Sequence, residues 1–133
     1  MKDACVVAFV LSALLAGPTS AGQSKHRITI TFDYDFTHQP SCSSDSKDSK
    51  GQKKKDCVQE FVAYDISAGV QKRTKLISIP VAQNAHGLVK GITATTPLLL
   101  FETGRHLIAV VAQTPGGHES DPNQCSAWVN IPD

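Results

Sequence analysis

The sequence has almost no surplus of charge and few aromatic rings. Thirteen Lys and Arg stand against twelve Asp and Glu, a formal net charge of +1 over 133 residues. That balance creates no overall field to gather nucleic acid or an anionic membrane surface. Aromatic residues make up 6% of the chain: five Phe, two Tyr and a single Trp, Trp128. Chemical motifs are missing as well. No serine sits in a Gly-x-Ser-x-Gly elbow, and no Cys-x-x-Cys or His-x-x-x-His pair marks a zinc site. Neither Arg-Gly-Asp nor an Asn-x-Ser/Thr sequon occurs. There is no internal repeat. The expectation is a chain without catalytic activity, metal or cofactor, and with no nucleic-acid partner.

Also lacking is an apolar run long enough to cross a bilayer. The longest runs from Ala4 to Ala16, about 13 residues, against the roughly 20 that a spanning helix needs. Lys2 precedes it, and Pro18-Thr19-Ser20-Ala21 follows with small residues at −3 and −1 of a cut after Ala21. A charged start, an apolar centre and a small-residue end are the grammar of a secretory signal. The sequence therefore predicts residues 1–21 as a signal peptide and 22–133 as one mature domain. The expected location is secreted or periplasmic, with no stable membrane insertion of the mature chain.

What is present is a globular composition, 41% apolar and 19% charged, arranged as strands. Ile28 to Phe36 alternates strictly, with Ile28, Ile30, Phe32, Tyr34 and Phe36 in one phase and Thr or Asp in the other. This is the pattern of a half-buried strand. Further strands are expected over 57–66, 74–81, one or two within 88–101, 106–113 and 125–131. In the first of these Phe61 and Val62 are both large and apolar, so the buried face is undecided. Pro80 cannot donate to a ladder and places the 74–81 strand at its end or at an edge. The run His106 to Gln113 is apolar in both phases, as a central strand is.

Between Phe36 and Cys57 the pattern stops. Residues 37–56 hold five Ser and five Lys and no periodic apolar residue, which is the composition of a solvated loop. Lys53, Lys54 and Lys55 head a basic stretch that could meet an acidic partner. Asp45, Asp48 and Asp56 offset it, however, and no Arg or aromatic residue interleaves it. Cys42 and Cys57 bracket most of the loop, and a bridge between them would close about 16 residues, credited with roughly 3 kcal/mol by loop entropy. A cut after Ala21 removes Cys5 and leaves three cysteines, Cys42, Cys57 and Cys125. That implies one bridge and one thiol, or a disulfide-linked dimer.

The C-terminal half resembles a fibronectin type III domain. Leu100, Gly104 and His106, followed by Ile108, Val110 and Ala112, are similar to the family's corner and its sixth strand. Gly116, Gly117 and Ser120, then Ser126 to Ile131, are similar to its last loop and strand. The resemblance covers roughly 57–131, with the N-terminal third looser. His106 stands where the family has a corner tyrosine, so any hydrogen bond there must come from an imidazole. The family's first strand is short or missing, since only 22–27 precede Ile28. The resemblance implies an all-β, immunoglobulin-like sandwich of two sheets with six or seven strands. It further implies that loops 37–56 and 114–124 share a pole where all three mature cysteines meet. Cys42 with Cys57 is then the preferred pair, and Cys125 with either is the alternative. The function expected is a non-catalytic binding or structural module presenting these loops, with Lys53, Lys54, Lys55 and His118, to an extracellular protein or glycan. The alternative is a small metal- or thiol-dependent activity built from Cys42, Cys57, Cys125, His38 and His118.

Overall fold

Strand-forming alternation dominates the chain, and in the computed structural model nearly every alternating stretch is paired. The structure describes residues 22–37, 39–42, 57–83 and 85–132, and the strand placement of 7–13. Eight strands lie in these residues: β1 (Val7–Ala13), β2 (Gln23–Asp35), β3 (Glu60–Asp65), β4 (Thr74–Pro80), β5 (Leu88–Thr95), β6 (Leu99–Glu102), β7 (Gly104–Gln113) and β8 (Ser126–Ile131). They form two antiparallel sheets. One has the order β1-β2-β5, with β6 also paired to β2, and the other has the order β4-β3-β7-β8. No helix among the described residues is long and apolar enough to cross a membrane.

The core lies between the sheets and is anchored by β2. Ile28, Ile30, Phe32, Tyr34 and Phe36 are all buried, as the alternation predicted. Phe61 of β3 meets three of them: its ring lies 5.0 Å from Phe32, 5.0 Å from Tyr34 and 6.1 Å from Phe36. Four of the eight aromatic residues thus join one sheet to the other. Ile108, Val110 and Ala112 of β7 and Val129 and Ile131 of β8 complete the far wall.

β2 begins at Gln23, five residues before the alternation of large apolar groups. Its inward row continues through Ser24 and His26, both buried and polar. The Ser24 hydroxyl donates to the Pro132 carbonyl at 2.9 Å and meets His26 Nε2 at 2.7 Å, while the other ring nitrogen of His26, Nδ1, is buried with no hydrogen-bond partner among the described residues. Thr96, also buried, accepts from the Ile28 N–H at 3.0 Å and donates to the Pro97 carbonyl at 2.9 Å. Buried polar groups with such partners cost little, whereas orphaned ones are expensive.

The segment expected to act as an export signal supplies β1. It pairs with β2 over seven residues in the register Val7↔Phe32, Phe9↔Ile30, Leu11↔Ile28 and Ala13↔His26. β2 pairs with β5 and β6 along its other edge, and β1 is the strand on this one among the described residues.

Candidate functional site

The pole of the predicted binding loops is tied down by covalent and backbone bonds. Cys42 and Cys57 form a disulfide across a sequence separation of 15. Ser41 and Val58 pair beside it, with Cys42 N–H to the Val58 carbonyl at 2.9 Å and Val58 N–H to the Pro40 carbonyl at 3.0 Å. Gln59 N–H donates to the Gln113 carbonyl at 2.8 Å, which ties the chain just after Cys57 to the end of β7. Cys125 is disulfide-bonded as well, to a partner outside the described residues. All three cysteines of the thiol- or metal-dependent reading are therefore oxidised here. Among the described residues no group of three His, Cys, Asp or Glu is placed to hold a metal.

His118 is exposed, in a turn where its N–H donates to the Thr114 hydroxyl at 3.2 Å and its carbonyl accepts from the Thr114 N–H at 3.0 Å. Lys53, Lys54, Lys55 and His38 lie outside the described residues.

At the opposite pole the His106 ring is held from both sides. Its Nε2 meets the Glu102 carbonyl at 2.6 Å and its Nδ1 meets Asp65 Oδ2 at 2.6 Å. Asp65 also accepts from the Ser67 N–H at 3.0 Å and the Ser67 hydroxyl at 2.5 Å, and that hydroxyl accepts from the Leu107 N–H at 2.9 Å. Burial works against ionisation of Asp65, but the Ser67 bonds and then His106 outweigh it. Its carboxyl is held below the ordinary value. Beside the cluster opens a cavity of about 400 Å³ lined by Leu76, Leu99 and Phe101, with Lys72 and Lys75 around it. Both His106 nitrogens are occupied by protein acceptors, which makes the cluster a fastener of β3 to β7.

A carboxyl that ionises more readily folded than unfolded stabilises the fold above its unfolded value, and the contribution fades as acid protonates it. Asp65→Asn is therefore expected to lower the urea midpoint at pH 7, while the gap to the parent closes as pH falls below about 4. Urea titrations at pH 7 and pH 3 measure this. A constant gap across that range would contradict the assignment.

The third surface is the outer face of the four-stranded sheet. Val62, Ala109 and Val111 alternate with core-facing neighbours, yet all three are buried. On the same face the Arg73 guanidinium lies 4.1 Å over the Tyr64 ring and bonds Glu119 at 2.9 Å. Gln113 donates to Glu119 at 2.8 Å and to the Tyr64 hydroxyl at 3.4 Å. Desolvation raises the Glu119 carboxyl, but the Arg73 and Gln113 bonds and the Arg73 charge carry it below its ordinary value.

Toward the β8 edge stands Trp128, 54% exposed, with the Arg105 guanidinium 4.6 Å above its ring. The signal was in the alternation, because Trp128 is in phase with Ser126 and Asn130 and out of phase with Val129 and Ile131. A half-exposed Trp capped by Arg offers a flat apolar face with a cation at its rim, which suits stacking against a sugar ring or an apolar protein side chain.

Comparison with protein-family models, with curated proteins and with solved structures returns no match to this chain.

Proposed function

We propose that the chain is an exported, non-catalytic binding or structural module of the fibronectin type III or immunoglobulin-like kind. Its signal segment, 1–21, is removed on export, and the mature domain engages an extracellular protein or glycan. The observation that carries the binding reading is Trp128, the chain's single tryptophan, held half-exposed under Arg105 on a sheet face rather than spent on the core. Trp and Arg are the residues most enriched where binding energy concentrates. The kind of domain is supported by two packed antiparallel sheets and by the His106 corner bond. The disulfide at Cys42–Cys57 suits an oxidising compartment.

With one tryptophan, intrinsic fluorescence reports on this surface alone. A glycan array and photo-crosslinking from position 128 on intact producing cells distinguish the two partner classes. Trp128→Ala is expected to keep the circular dichroism of the parent and to weaken the captured partner at least about 30-fold, the loss typical of a hot-spot residue. Binding that is unchanged in Trp128→Ala would remove this face from the account.

A further inference from the structure

Going beyond the Trp128 surface, we propose that the cavity between β4 and β6 binds a fatty-acid anion, its carboxylate at Lys72 and Lys75 and its tail against Leu76, Leu99 and Phe101. β4 ends one sheet, and β6 is held by β2 in the other. The cavity between them has a volume of about 400 Å³, within the roughly 300–1,000 Å³ usual for small-molecule sites. Trp128 is not part of its lining, so this site stands or falls apart from the surface argued above.

The walls call for an apolar body. Leu76 of β4 and Phe101 of β6 are buried, Leu99 is half-buried, and Leu100 is 53% exposed; all four line the cavity. A tail laid there removes apolar surface of both partners from water, which is the driving force for its entry. A second cavity of about 160 Å³ opens at the other end of β4, between Pro80 and Val81 on one side and Val89 and Ile92 of β5 on the other. No charged residue lines that one. Cations stand only at the first, which fixes the end at which a charged head sits.

The sign of the head follows from which charges are already engaged. Among the described residues the ion pairs are Arg73–Glu119 and His106–Asp65. Arg73, between the two lysines in sequence, is thus spent on the outer face, while Lys72 and Lys75 have no carboxylate partner there. Asp65, also on the lining, already accepts from the Ser67 N–H and hydroxyl and meets His106 Nδ1. Glu102 is the remaining carboxylate of the lining. It opposes an anion from the β6 side, and the two lysines outnumber it. Each lysine brings three donors and a full charge, and a carboxylate accepts from both at once.

Decanoate is the probe, titrated into the full chain and followed by calorimetry below its micelle concentration. Saturable binding of one decanoate per chain is expected, with octanoate weaker by about fourfold for each buried methylene it lacks. Decylammonium has the same tail and the opposite charge, and is expected to bind at least about tenfold more weakly than decanoate. Lys72→Glu combined with Lys75→Glu is expected to weaken decanoate at least about tenfold, whereas Glu102→Gln is expected to tighten it. All three positions are exposed, and circular dichroism of these variants is expected to match the parent. Absence of saturable binding, equal affinity for decylammonium, or a decanoate affinity that the lysine reversals leave unchanged would each overturn the proposal.

Discussion

Phe61→Ala is expected to destabilise the domain more than any other single truncation, by about 3–5 kcal/mol. Phe61 is 1% exposed and is the β3 side of the aromatic cluster with Phe32, Tyr34 and Phe36. Removing the ring costs its transfer free energy and leaves a void between the sheets. Three rigid rings, two on β2 and one just past its end, can fill that void only partly. Against a typical stability of roughly 5–15 kcal/mol, such a loss is a large fraction. Guanidinium unfolding followed by circular dichroism measures it, with a lower midpoint at a similar slope expected. A loss under about 1 kcal/mol would mean that the two sheets are not joined at this point.

Replacing Cys42 and Cys57 together by Ser is expected to cost about 3 kcal/mol, because the bond closes a loop of that length in the unfolded chain. The bridge spans 15 positions, and the loop sequence between its ends carries no periodic apolar residue. Its stabilisation therefore comes from the unfolded state and not from packing. The midpoint of thermal unfolding should fall by roughly 10 °C for a domain of this size, with the far-ultraviolet spectrum unchanged below the transition. A shift of only one or two degrees would show that the Ser41–Val58 pairing and its backbone bonds hold the pole without the bridge.

The legible parts of the fold were those where one face is buried and the other wet. β2 from Ile28 onward is such a strand, and its five large inward residues were readable at once. β3 was not, because Phe61 and Ala63 face the core while Val62 is buried with Val111 on the other side. Alternation carries no information when both phases are buried. The start of β2 was missed for a related reason, since Ser24 and His26 occupy the inward row through hydrogen bonds to each other and to Pro132.

The leader segment is a deeper ambiguity. About 13 apolar residues, 4–16, fit the pattern of an export signal, and seven of them, Val7–Ala13, form a strand opposite Ile28, Ile30 and Phe32. The Cys42–Cys57 pair was the preferred one of those left open, and the two are bonded. Of the site, the imidazole at the corner could be anticipated from His106, but its Asp65 partner, 41 residues away in sequence, could not. Trp128 was legible from its phase, out of step with the buried Val129 and Ile131.

The central claim is that this is an exported sandwich module with its loop pole locked by disulfide chemistry. The most direct measurement is the intact mass and non-reducing disulfide map of the protein released by cells that express it with its own N-terminus. The expected result is a released chain beginning at Gly22 with Cys42 joined to Cys57. A cell-retained chain beginning at Met1, or free thiols at Cys42 and Cys57, would contradict the account.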